Sequence, residues 1–214
     1  MAHLKRHKVP KNWPIKRKGT IFVIKPNSKK GIPFLIILRD LLKVAQTRKE
    51  VKKAIHRKHL LMNNRIVKDE KIGMSLFDTL SLVPSKTHYR LNLSEKGKFE
   101  LKKIKEDESN KKVVKVVNKK VLKGKKVQLN LSDGRNFLSD VRCNTNDSVL
   151  INFRDKKIEK CIPLKEKANV IIFAGKHSGE MGQIEKINEE RKMARVSKGK
   201  EKLNILIKQL MAVE

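Results

Sequence analysis

The sequence predicts an α+β chain, with a small helix-helix-hairpin module followed by two small β-barrel modules. Three observations predict it. Between Leu35 and Ile55 apolar residues recur at helical spacing, interrupted by a capping signature at Thr47–Glu50. From Val113 the period changes to two, in short runs separated by turn residues. Near the end, Gly175, Gly179 and Gly182 stand inside sequence that otherwise reads as strand. The expected boundaries are a basic extension over 1–32, the helical module over 33–98, a central β module over 99–164 and a last β module over 165–214.

The extension mixes Lys and Arg with Pro and Gly and shows little apolar periodicity, so it is expected to order only against a partner. Its cations are dense, and Arg6, Lys8, Lys11, Lys16, Arg17 and Lys18 are candidate phosphate contacts. Trp13, between Asn12 and Pro14, is either a plug against a neighbouring domain or a contact to RNA.

Pro33 suits the first turn of a helix, where a missing N–H costs nothing. Leu35, Leu38, Leu41, Leu42 and Ala45 mark one apolar face of that helix. Thr47 and Glu50 form a capping box, so a second helix starts near Arg48. Val51, Ala54 and Ile55 share one side of it. Lys49, Lys52, Lys53, His56 and Arg57 share the other, with Arg48 at the margin. A solvated face intersperses acids for i,i+4 support, and here only Glu50 appears, already used by the cap. The stripe therefore implies an anionic partner. Leu60–Met62 and Arg65–Lys68 then read as a hairpin, because Asn63 and Asn64 tolerate the positive φ of a two-residue turn. Gly73 precedes an apolar segment, Leu76–Leu82, ended by Pro84.

Phe99–Leu101 is expected to open the central module, with an exposed charged loop at Lys105–Lys112. Val113–Val117 is a β-branched run. Val127, Leu129 and Leu131 alternate with polar residues before a turn at Asp133-Gly134, and Val149, Ile151 and Phe153 alternate again. Lys123, Lys125 and Lys126 keep this module basic. The glycines at 175, 179 and 182 require positive φ or close backbone approach. They do not form a phosphate-binding P-loop: the Lys follows the first glycine, and strand-like sequence follows Gly182. Leu203–Val213 fits a strand or a strand ending in a helical turn.

Composition narrows the function. The chain of 214 residues holds 53 Lys+Arg against 22 Asp+Glu, a net charge of +31. Residues 1–60 carry 18 of those cations and two acids, a net of +16. Such self-repulsion implies a polyanionic partner, and nucleic acid is the default. A membrane is not expected: no apolar run approaches the roughly 20 residues that span a bilayer, and MAHLKRHKVPKNW lacks the apolar core of a signal peptide. Aromatics are only 4%, which disfavours a surface of stacked bases and favours recognition of phosphate and shape. Cys143 and Cys161 lie far apart without a CxxC, so no metal site or disulfide framework is signalled.

Leu38–Asp40, Thr47-Arg48, Ala54, the Asn63-Asn64 turn and GMSLFDTLSL at Gly73–Leu82 resemble the "S-four" RNA-binding domain. That resemblance implies RNA contacts for Arg39, Arg48, Lys49, Lys52, Lys53 and Arg57, and Lys43 at the end of the first helix joins the candidates. The family usually places Gly where this chain has Asn64. AGKHSGEMGQI at Ala174–Ile184 resembles the KOW motif of small SH3-like barrels, which implies contacts from Lys176 and His177 at the loop tip. For His177 a merely exposed loop histidine is an equal reading.

In this order, behind a tail carrying Pro10-Lys11-Asn12-Trp13, the modules resemble the e-type small-subunit ribosomal protein four family of archaea and eukaryotes. The resemblance extends over nearly the whole chain and also rests on IPFLIILRDLLKVA, VQLNLSDGRN and NDSVLI. Asn146-Asp147 stands where that family commonly has Gly-Asp. The family implies a structural role in the cytoplasmic ribosome, with small-subunit ribosomal RNA and neighbouring small-subunit proteins as partners. No cofactor, metal or small-molecule substrate is expected, and no catalysis. An RNA-modifying enzyme would need a further catalytic domain, and no nucleophile–base pair or cofactor loop is left over for one. A KOW-bearing transcription or assembly factor that binds the ribosome transiently is the other reading. Charge spread over the whole chain favours permanent burial in RNA.

Overall fold

The computed structural model describes residues 3–28, 31–138, 141–199 and 201–213. Met1, Ala2, Lys29 and Lys30 of the expected extension, and the side chain of Lys125, lie outside the described residues. The chain is mostly sheet with few helices and divides into two compact units, one running to Ser94 and including Lys98–Asn110, the other holding Glu95–Gly97 and the chain from Lys111.

In the first unit the extension has a framework of its own, contrary to expectation. Strands β1 (Leu4–Lys5) and β2 (Phe22–Val23) pair antiparallel. Arg6 closes the loop between them: Nε donates to the Thr20 carbonyl at 2.7 Å, and the terminal nitrogens donate to Lys16 O and Thr20 Oγ1, each at 2.8 Å. Trp13 is 4% exposed, which settles it as a plug.

Strand β3 (Ile32–Pro33) pairs with β6 (Gly73–Met74), so Pro33 is extended and precedes the helix instead of opening it. Helix α1 (Phe34–Ile36) passes into a π-helical segment, Ile37–Leu41. Residues 34–38 are all buried, not one face of them, because the helix lies inside the unit. It ends before Ala45. Lys43 takes a φ of 55°, and the amides of Val44 and Ala45 turn back to the Leu38 carbonyl.

Helix α2 (Arg48–His56) starts where the capping box places it. Thr47 Oγ1 accepts from the Glu50 amide at 3.3 Å, and Glu50 accepts from the Gln46 amide at 2.8 Å and the Thr47 hydroxyl at 2.9 Å. These bonds hold the Glu50 carboxyl below its usual range, the Gln46 amide contributing most. The hairpin of β4 (Leu60–Met62) and β5 (Arg65–Ile66) turns at Asn63 and Asn64, with φ of 49° and 60°.

Strands β7 (Thr79–Leu82), β8 (Thr87–Leu93) and β9 (Phe99–Ile104) complete a sheet of order β5-β4-β7-β8-β9. The strand expected to open the central module thus belongs to the first unit, since β9 pairs with β8 from Leu93↔Phe99 to His88↔Ile104. Its Phe99 amide also donates to Asn12 O at 2.8 Å, tying in the extension. The charged segment that follows is not an open loop: Glu106–Ser109 forms a single helical turn, α3, whose Ser109 is buried and accepts from Thr79 Oγ1 at 2.8 Å.

The second unit holds two five-stranded antiparallel sheets. The central one, of order β12-β11-β10-β13-β14, comprises β10 (Lys111–Val121), β11 (Val127–Leu131), β12 (Asn136–Leu138), β13 (Ser148–Asn152) and β14 (Lys157–Ile162). Leu129, Leu131, Val149, Ile151 and Phe153 meet Val114, Val116 and Cys143 in its core, as alternation predicts. Lys112, expected in the exposed loop, is buried and reaches Asp133 at 3.4 Å. Burial and the neighbouring Cys143 push the Cys161 thiol up to about 12, so Cys161 is not poised as a nucleophile.

The last sheet, of order β18-β17-β16-β15-β19, comprises β15 (Asn169–Ile172), β16 (Met181–Asn188), β17 (Met193–Lys198), β18 (Glu201–Leu206) and β19 (Leu210–Ala212). A 3-10 turn, Ile207–Gln209, separates the last two strands, so the C-terminal segment is neither one strand nor a strand ending in a helical turn but two strands joined by that turn. Buried Lys115 of β10 donates to the carbonyls of the turn's first residue and of the residue after it, Ile207 O at 2.5 Å and Leu210 O at 2.8 Å. Burial lowers its pKa to about 8.

Gly175 and Gly179 both take φ of 96°, while Gly182 serves close approach: a Cβ there would lie 2.4 Å from Ser197 O. Gly182→Ala is therefore expected to cost about 1–3 kcal/mol, read as a lower melting temperature of the isolated chain.

Candidate nucleic-acid interface

Helix α2 is anchored through Val51 and Ile55, both buried, with Ala54 half-buried beside them. Lys49, Lys52, Lys53 and Arg57 are exposed, and among the described residues none of the four has an ion pair. Like charges three and four residues apart disfavour the helix, so this face is stable only because the opposite one is packed.

Two arginines predicted to share that role are differently placed. Arg48 sits at the start of α2, and its guanidinium is bound by Glu70, Nε donating to Oε1 at 2.7 Å and a terminal nitrogen donating to the same oxygen. The Glu70 side chain is 3% exposed and that of Arg48 57%, so a buried carboxylate fixes a largely exposed cation. The Glu70 hydrogen bonds raise the Arg48 pKa further. Arg39 forms a two-point ion pair with Asp40, at 2.9 and 3.0 Å, which likewise raises its pKa. Both remain cations, but their geometry is set from within. Glu70 escaped sequence reasoning because, inside Asp69-Glu70-Lys71, it reads as a surface turn charge.

The extension contributes a groove of about 700 Å³ bordered by Arg6, Lys16, Lys18, Arg39 and Lys43, with Asp40 the carboxylate on its wall. Arg6 differs from the others because its guanidinium is spent on the Lys16 and Thr20 acceptors, a folding role. Lys8, Lys11, Lys16, Arg17, Lys18 and Lys43 are exposed. The structure thus gathers Lys16, Lys18 and Lys43, far apart in sequence, on one cavity.

Lys176 and His177 lie in the turn between β15 and β16, in the other unit. Lys176 is exposed. The imidazole of His177 is half-buried and faces Glu180 at 3.4 Å, and Glu180 also meets Lys198 at 3.6 Å. Among the described residues no cluster of His, Cys, Asp and Glu could hold a metal, and no helix is long and apolar enough to cross a membrane.

Comparison with known proteins separates the possible polyanion binders. The family description "Ribosomal family S4e" matches residues 85–158, and the "RS4NT (NUC023) domain" matches residues 2–28. The "Small ribosomal subunit protein eS4" of Methanocella arvoryzae is 36% identical over 197 residues, 90% of this chain and 83% of that protein. This chain belongs to the ribosomal S4e family. The Haloarcula marismortui member is 32% identical over 97% of this chain and 88% of its own length. The crystal structure of the "30S ribosomal protein S4e" from Thermoplasma acidophilum shares the fold, with a TM-score of 0.73 at 22% identity, covering 87% of this chain and 96% of that one. The 2–28 match falls on the cation-rich extension.

Proposed function

We propose that this S4e chain is a structural constituent of the small ribosomal subunit that binds and holds folded ribosomal RNA. Likeness along nearly the whole chain to small ribosomal subunit proteins carries the reading. The site geometry supports it. Lys49, Lys52, Lys53 and Arg57 serve as phosphate contacts on α2, and Lys16, Lys18 and Lys43 line a groove that suits a sugar-phosphate chain. Lys8, Lys11 and Arg17 extend the contact along the extension, and Arg39 and Arg48 present cations oriented by Asp40 and Glu70. Lys176 adds a contact from the last sheet, which serves as the SH3-like KOW barrel, while the central sheet serves as the other small barrel. His177 positions that loop through Glu180.

The partners are small-subunit ribosomal RNA and adjoining ribosomal proteins in the cytoplasm, and the role is scaffolding without catalysis. The test is sedimentation of lysate through a high-salt gradient. Co-migration with the small subunit is the expected result, and release to the soluble fraction would instead identify a transient assembly factor.

A further inference from the structure

The outer face of the β10-β11-β12 sheet combines two features. The first is a block of neutral amides. Registration places Asn118, Asn130 and Asn136 in one row across the three strands, and Lys120, Gln128 and Leu138 in the next. The alternate residues Leu129, Leu131 and Phe137 face the core, so both rows face outward. Gln128 Nε2 donates to Asn130 Oδ1 at 2.9 Å, and Asn118 Oδ1 accepts from the Lys119 backbone amide at 2.8 Å. Among the described residues no other side-chain hydrogen bond engages these four amides.

Asn is disfavoured in strands, and three in one cross-strand row lower sheet stability with no packing in return. A solvated face has no use for that arrangement. The second feature is charge. No carboxylate occurs between Glu108 and Asp133, while Lys120, Lys123 and Lys126 are exposed around the hairpin tip beside the amide rows. Asp133, at the far end of the hairpin, is engaged by Lys112 and Arg135.

We propose that this face is a second RNA site, in which the amides read the sugar edge of an A-form helix and the tip lysines hold its phosphates. The wide, shallow minor groove of RNA presents 2′-hydroxyls and base edges, each donor or acceptor, to a flat surface. Neutral amides match both roles, and Leu138, 62% exposed, supplies apolar contact to a ribose. Phosphate-only binding would call for cations at these positions. The site extends the RNA-binding reading above and rests on it.

The test uses the full chain and transcribed archaeal small-subunit ribosomal RNA, with affinity measured across a salt series. Asn118→Val with Asn130→Val leaves charge unchanged and favours the strands. Affinity is expected to fall about tenfold with the salt slope intact, and preference for RNA over DNA of the same sequence is expected to shrink. Lys120→Gln with Lys123→Gln should instead reduce the slope magnitude by about 1.8, two released counterions on a duplex. Valine variants that melt like the parent and bind RNA with unchanged affinity and preference would overturn the proposal. So would unchanged RNA affinity with lost incorporation into the subunit, which would assign the face to a protein partner. A parent chain that fails to bind the RNA would overturn the RNA-binding reading itself.

Discussion

Lys52→Glu combined with Lys53→Glu is expected to weaken binding to small-subunit ribosomal RNA by about a hundredfold or more while leaving the free protein at least as stable. Both side chains are exposed on α2, opposite Val51 and Ile55, so the reversal removes no packing. Two neutralised phosphates are lost, lowering the magnitude of the salt slope by about 1.8, and repulsion from two new carboxylates adds to the loss. About 1.4 kcal/mol for each lost contact already gives a hundredfold.

The effect on the free helix has the opposite sign. Lys49, Lys53 and Arg57 repel along one i,i+4 line, and Glu at 53 turns that line into two attractive pairs of about 0.2–0.5 kcal/mol each. Affinity measured in a salt series, beside a melt of the free chain, separates these effects. A variant that keeps its affinity would remove α2 from the interface. Opposite responses would show that its charge pattern is tuned to the partner at the expense of the helix.

What was legible in the sequence follows from the range of the interaction responsible. The Thr47–Glu50 cap, the Asn63-Asn64 turn and the alternation of Leu129 and Leu131 are local chemistry, and the structure contains each as read. The amphipathic axis of α2 was legible too, because Val51 and Ile55 repeat at helical spacing.

Pairings over long separations were not. Phe99–Ile104 carries a strand pattern, but its sheet is decided by register with Thr87–Leu93, which no residue in it announces. Arg6 and Arg48 look like any other cation in a basic run. The folding role of one depends on Thr20 and the orientation of the other on Glu70, 14 and 22 residues away. Lys112 and Lys115 were concealed similarly, since a lysine is expected outside until a distant acceptor appears. For the proposed RNA face, sequence identified the exposed side of α2 but could not separate its lysines from arginines already bound by carboxylates.

The turn residues Asn63 and Asn64 share a left-handed backbone, yet glycine at the two positions is expected to act very differently. Asn63 is 4% exposed and works as a junction. Its Nδ2 donates to Asp78 Oδ1 at 2.8 Å, and its Oδ1 accepts from the Thr79 amide at 3.0 Å and the Thr79 hydroxyl at 3.3 Å. Asp78 in turn accepts from the Ser75 amide at 2.6 Å. Asn63→Gly keeps the turn permissible but leaves the buried Thr79 amide without that acceptor and removes a bond to a carboxylate. The expected loss is about 3–4 kcal/mol, from one unsatisfied buried donor and one charge-assisted bond. Asn64 is exposed and touches only the Asn110 amide among described partners, so Asn64→Gly is expected to stay within about 0.5 kcal/mol. Trp13, the sole tryptophan and buried in the same unit, allows urea unfolding by fluorescence to read both variants. Equal losses would mean that backbone conformation alone governs the turn. A large loss confined to Asn63→Gly would show that the hairpin is held to β7 by a side-chain network, which fixes the register of the sheet in the unit that carries the proposed RNA face.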